Sequence, residues 1–234
     1  MTAVTRRRGK ASLRAAAVAA ATVLGAAGCA HLPYVLNQNH DKIVAIDVAL
    51  QPDLTVGGRS DVVRGPITLV RQFVRASDVH VVSSQVAFVM ATTRLQDLNL
   101  RSAGYHSGTW NGVAGTAMVL DATQDLRRLE ERLAEALRPF RLTPKDAEDF
   151  IATPDGREMN GASIAAIESY IAEAGGVNYR PHIVVGPTPS DAAAPAQPGG
   201  EVVFRSVTAA IYQLGSLDAA PRVLWTWNGE VGAR

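Results

Sequence analysis

The sequence predicts an α+β fold with mainly antiparallel strands. Several runs alternate apolar and polar residues with the two-residue period of a strand, while others repeat apolar residues every three to four positions, as helices do. The two kinds of segment are mixed without a strict β-α alternation, which argues against a parallel doubly wound sheet.

Taken in order, residues 42–50 place Val44, Ile46, Val48 and Leu50 on one side of a strand. A second strand is predicted over 62–73, interrupted near its start by Gly65-Pro66. Ser77 and Asp78 stand where they can cap a helix whose apolar face is Val79, Val82, Val86 and Val89. Residues 95–101 and 113–120 read as strands joined through the Gly-rich segment Gly104-Tyr105-His106-Ser107-Gly108-Thr109-Trp110. The clearest helix covers 123–138, with Leu126, Leu129, Leu133 and Leu137 on one face and Pro139 closing it. Glu130, Glu131 and Glu135 are assigned to its solvated face, where Arg127, Arg128 and Arg132 can pair with them. Another helix, 162–174, presents Ile164, Ile167 and Ile171 and ends at Gly175-Gly176. A strand over 178–185 leads into 187–200, a Pro/Ala/Gly stretch read as a flexible loop. The last strands are 202–214, where Tyr212 is expected in the core, and 223–227, where Trp225 and Trp227 are expected to pack. Residues 229–234 form a tail.

The N-terminus reads as an address. Arg6, Arg7, Arg8, Lys10 and Arg14 precede an uncharged run from Ala15 to Gly28, too short for the ~20 residues of a spanning helix. This is the pattern of a secretory signal over 1–28. Ala26-Ala27-Gly28-Cys29 resembles the bacterial lipobox, in which small residues precede a Cys that is acylated and becomes the mature N-terminus. Cys29 is the single Cys of the 234-residue chain. The resemblance implies a palmitate-bearing lipoprotein, exported by the general secretion route and held on the outer face of the cell membrane by Cys29, with 29–41 as tether. His31 and His40 belong to that tether.

Composition narrows the rest. Without the five basic residues of the leader, 18 basic face 22 acidic residues, a formal charge of −4. Such a body lacks the basic surface of a bulk nucleic-acid binder. One Cys makes no internal disulfide. There is no Walker or dinucleotide loop, no Gly-x-Ser-x-Gly elbow and no His pair at metal-ligand spacing.

Two segments half a chain apart repeat a local pattern: Arg64-Gly65-Pro66-Ile67-Thr68-Leu69 and Arg180-Pro181-His182-Ile183-Val184-Val185-Gly186. Both resemble altered copies of Pro-His-x-Thr, the signature that occurs twice in the 2H phosphoesterase superfamily. The stretches Ile43–Asp53, Leu69–Asp78, Phe150–Asp155 and Ile211–Gly215 resemble segments of bacterial 2′-5′ RNA ligase family proteins in the same order. The resemblance spans about 42–228. It implies a bilobal fold in which two antiparallel sheets face a central cleft with helices outside, and Thr68 and His182 on central strands of opposite lobes. In a His-x-Thr pair the two side chains point to one side of a strand. The family chemistry so implied uses one His as base and the other as acid on a 2′,3′-cyclic or 2′-5′-linked phosphate, without metal or cofactor.

This chain keeps half of that apparatus. Pro66 stands at the first His position, with Thr68 retained; His182 is retained, with Val184 at the second hydroxyl position. Proline transfers no proton and valine donates no hydrogen bond, while a positioned acid or base is worth ~10²–10⁴ in rate. The expectation is an anchored binding or interaction protein with an eroded site for a small nucleotide or phosphorylated ligand. The alternative is an active phosphodiesterase using His182 and Thr68, with His106 as a recruited base. Arg64, Arg71 and Tyr179 are candidates for lining the cleft, and His80 is expected to lie on a helix face.

Overall fold

A computed structural model of the chain describes residues 42–53, 65–110, 113–143, 153–155, 157–173, 178–186, 203–215 and 220–229. Cys29, Arg64, the tether 29–41, the loop 187–200 and all but the first residue of the tail lie outside them.

The first strand, β1 (Ile43–Asp53), pairs antiparallel with β2 (Ile67–Arg75) on one side and with β6 (Val203–Gln213) on the other. Its flanked position explains its composition. Val44, Ile46, Val48 and Leu50 are buried as the alternation predicts, and Ala45, Asp47 and Ala49 on the opposite face are buried as well. A strand covered on both faces keeps apolar or small residues at nearly every position.

After β2 a single 3-10 turn over Ala76–Asp78 runs directly into α1 (Val79–Ala91). Asp78 has a helical backbone and makes no capping hydrogen bond, unlike the expectation from Ser77-Asp78. The predicted apolar face of α1 is buried. Helix α2 (Gln124–Leu137) starts as predicted: Thr123 caps it by accepting a hydrogen bond from the Leu126 N–H at 3.4 Å, and Pro139 sits in the 3-10 turn that follows. Its four leucines join the main core with α1, β1 and β2.

The segment expected to be a Gly-rich connection is strand. Strand β3 (Asn99–Trp110) begins four residues later than predicted, behind a 3-10 turn over Leu95–Asp97, and runs on to pair with β4 (Val113–Leu120). Its first three residues pair instead with β6, Asn99 opposite Arg205 and Arg101 opposite Val203. The change of partner falls at Ser102–Gly104, where the β3–β4 register slips and Gly104 has φ +132°. That conformation is strained for any residue with a Cβ, so glycine allows one strand to leave the first sheet and enter the second.

Strand β5 (His182–Gly186) pairs with β4, and β7 (Arg222–Trp227) with β6. The path is β2-β1-β6-β3-β4-β5, with every pairing antiparallel. The fold is α+β with two antiparallel sheets that share β3. Thr68 on β2 and His182 on β5 therefore sit on the two end strands, not on central ones. Those ends come back together: a Cβ built on Gly65 would lie 3.3 Å from both Ile183 Cγ2 and the Val184 carbonyl oxygen. Glycine at 65 is what lets the two motif strands approach.

Helix α3 (Gly161–Glu173) covers the opposite face of β1 and β2 from α1 and α2. Ile167 packs there with Ala45, Phe73 and Met159, flanked by Ile164 and Ile171. Trp225 and Trp227 pack against the main core, as expected.

Candidate functional site

On the α3 side of the first sheet the apolar packing gives way, one residue pair further along β1 and β2, to a polar cluster. The register sets Asp47 opposite Arg71 on β2 and Tyr212 on β6. Strand alternation alone would turn Thr68 and Arg71, three residues apart, to opposite faces. A bulge between Val48 and Ala49 in the β1–β2 ladder inserts one residue into β2, and both side chains turn to Asp47. Arg71 donates from Nε to Asp47 Oδ1 at 2.6 Å and from Nη2 to Oδ2 at 2.7 Å. Thr68 Oγ1 donates to Oδ2 at 3.2 Å. The ion pair is sealed, its side chains only 7% and 8% exposed. Tyr170, one turn beyond Ile167 on α3, lays its ring 4.6 Å from the Arg71 guanidinium carbon.

Burial and charge act together here. Desolvation lowers the Arg71 pKa, but the Asp47 charge and hydrogen bonds outweigh it and leave it above the ordinary value. Burial, then the Asp47 charge, raises the Tyr170 hydroxyl. The His182 imidazole is held below its usual pKa first by burial; the Arg180 carbonyl opposes this, and Arg71 and Asp47 act on it with opposite signs. Its Nδ1–H donates to that carbonyl at 3.0 Å, so Nε2 is the basic nitrogen of the neutral ring.

The structure thus brings together Thr68, Arg71 and His182 by contact or charge, and Gly65, next to Pro66, meets β5 at Ile183. Val184 lies at that same crossing. Tyr179 is present in another role: its ring is in the main core and its hydroxyl donates to the Thr68 carbonyl at 3.1 Å, tying the second motif to the first. His106 is exposed on β3 opposite Ala117, which faces Val184 across β4 and β5, and His80 is exposed on α1 with Nδ1–H donating to the Ser77 carbonyl. Tyr212 is buried as expected and also takes a hydrogen bond from Gln51 Nε2 at 2.7 Å.

Asp47 and Tyr170 were missed by sequence reasoning. Asp47 interrupts an apolar strand, Ile46-Asp47-Val48, and a charge in a run of that kind is itself the signal of a buried pair. Glu130 was misplaced: it is 4% exposed, not solvated. Four residues after Leu126 and three before Leu133, it belongs to the apolar stripe by the helical period. The charges on α2 find other partners than those expected: Arg128 pairs with Asp125 at 3.6 Å, Glu135 with Arg138 at 2.9 Å, and Arg132 donates to Thr92 and Thr93 at the end of α1.

Two adjoining cavities, about 360 and 320 Å³, lie on another part of the surface and share Asp97, Leu98 and Asp125. Asp121 and Asp125 stand at the N-terminus of α2, and Arg132 donates to Thr92 and Thr93 at the C-terminus of α1, where each complements a helix dipole. Among the described residues no group of three or more His, Cys, Asp or Glu is placed to hold a metal ion.

Fold and site define an α+β protein of two antiparallel sheets, with a sealed Asp–Arg–Thr cluster where two similar motif strands meet. No family model matches the chain, and no curated protein matches it in sequence. Among solved structures the chain is similar to E. coli LigT complexed with NADP+ (14% identity, TM-score 0.42) and with 3′-AMP (13%, 0.41), and to a phosphoesterase (13%, 0.39). Each similarity covers 80% of this chain and 98% of the other.

Proposed function

We propose that this protein is an exported lipoprotein, anchored through Cys29 to the outer face of the cell membrane, whose body is a 2H phosphoesterase-like domain that binds and does not cut. The observation that carries the reading is the commitment of Thr68 and Arg71 to Asp47. A hydroxyl and a guanidinium already engaged by a carboxylate do not stabilise the charge that develops on a phosphate during its transfer. Pro66, the residue after Gly65, supports the same reading, since a proline can supply no second proton-transfer group. His182 remains the one imidazole of the cluster. One proton-transfer group without its counterpart fits recognition of a small nucleotide or phosphorylated ligand better than turnover.

The test is incubation of the mature, detergent-solubilised chain with 2′,3′-cyclic nucleotides and short 2′-5′ oligonucleotides, following His182 ring signals by NMR and product in the same tube. Shifts without product are expected. Product that disappears in His182→Ala makes the protein a phosphodiesterase, a reading favoured by the neutral, Nδ1-anchored imidazole. Absence of both shift and product overturns the ligand-binding part of the proposal.

A further inference from the structure

Helix α1 lies on the surface and carries no Asp, Glu, Lys or Arg. An ordinary surface helix turns charges to water, as α2 does with Arg128, Glu131, Arg132 and Glu135. The outer face of α1 instead presents Val81, Ser84 and Phe88 on successive turns, followed by Thr92. Phe88 is 55% exposed, on the side away from the buried valines. The polar groups of this face are satisfied locally: Ser84 donates to the His80 carbonyl and Thr92 to the Phe88 carbonyl, each at 3.0 Å, and His80 Nδ1–H to Ser77. Hydroxyls bonded back to their own helix do not depend on water.

The chain enters the body beside this helix. The Ala76 N–H, three residues before α1, donates to the Lys42 carbonyl at 2.8 Å. Residues 30–41, extended, span at most about 40 Å, and a helix of this length measures about 20 Å, so a lipid on Cys29 reaches a bilayer lying along all of α1. Beyond the last turn, the cavity of about 320 Å³ that Thr92 and Thr93 line carries Arg94, Arg128 and Arg132 against Asp97 and Asp125. That surplus of positive charge suits phosphate groups.

We infer that the outer face of α1 docks on the phospholipid bilayer, with Phe88 inserted at headgroup level and the arginines beyond Thr92 meeting lipid phosphates. The inference rests on the Cys29 anchor of the proposed function and adds an orientation to it. Helix α3 and the Asp47 cluster lie on the opposite face of the first sheet from α1, so docking turns the candidate site away from the membrane.

The experiment uses the full acylated chain in vesicles of phosphatidylethanolamine and phosphatidylglycerol. With the single Cys of the chain acylated, Ser84→Cys or Glu168→Cys supplies the free thiol for a bimane fluorophore. Ser84 is one turn from Phe88 on α1, and Glu168 is exposed on α3. The label at 84 is expected to be quenched by nitroxide-bearing lipids and several-fold less by aqueous iodide than the label at 168, and Phe88→Asp is expected to return it to iodide. Equal iodide quenching at the two positions overturns the inference. A label at 84 shielded from iodide and lipid alike also overturns it, since a second copy or another protein then covers the face. Unchanged quenching in Phe88→Asp does the same. Where circular dichroism shows that Phe88→Asp has lost its fold, Phe88→Ala reads the same return to iodide. A chain that takes up no palmitate defeats the anchor reading itself, whereas palmitate uptake with position 84 in water defeats this inference alone.

Discussion

At the residue scale the decisive pair is Asp47 with Arg71. Two charges removed from water gain little net stability from each other, but removing one strands the other in a buried place. Asp47→Ala should therefore cost about 3–5 kcal/mol in urea denaturation, and Asp47→Leu combined with Arg71→Met should recover most of it. A double variant as unstable as the single one would mean that the pair does more than neutralise itself. His182 adds a pH dependence whose sign follows from its depressed pKa. Above the ordinary imidazole value of 6.5 the ring is neutral in both folded and unfolded chains and contributes nothing. As pH falls below it the unfolded chain takes up the proton first, so stability declines until the folded ring titrates too. The melting temperature between pH 7 and pH 5 should fall less in His182→Gln than in the unaltered chain.

At the scale of elements, the site depends on two irregularities and one close approach. The bulge opposite Val48–Ala49 brings Thr68 and Arg71 to one face, and Gly104 lets β3 serve both sheets. Gly65 sets the distance between the motif strands. A methyl group there would press on the Val184 carbonyl at 3.3 Å, and a paired backbone yields less readily than a side chain. Gly65→Ala is expected to destabilise the protein by about 1–3 kcal/mol, the usual cost of overpacking. It should also shift the His182 amide signal, because the strain enters β5; an unchanged spectrum would show that the two strands part freely. Periodicity made the helices legible. The leucine stripe of α2 and the valines of α1 repeat at the helical interval, and their burial follows from that repeat. The length of β3 was misread, because Gly104 and Gly108 look like a turn in a sequence and only their pairing with β4 makes them strand.

At the scale of the whole molecule, residues 29–234 carry a formal charge of −4, and no described helix is long and apolar enough to cross a membrane. A lipid on Cys29 would attach such a body without a spanning segment. Expression of the full chain with radiolabelled palmitate should label it and bring it down with the membranes, and Cys29→Ser should lose both label and membrane fraction. Label retained in Cys29→Ser would place the lipid elsewhere.

The sequence by itself determined what depends on local periodicity and residue chemistry. It marked the α+β character, the paired motifs, Thr68, Arg71 and His182 as the residues to watch, and Pro66 and Val184 as motif residues whose side chains neither transfer a proton nor donate a hydrogen bond. Only the tertiary structure decided that β2 and β5 are the end strands that meet, and that Tyr179 belongs to the core. It also supplied Asp47, Tyr170 and the buried Glu130. The physical reason is one of range. Alternation and helical repeat are set within a few residues, whereas a bulge, a strand crossing or the burial of a charge depends on a partner 19 or more positions away, as Thr68 is from Ala49.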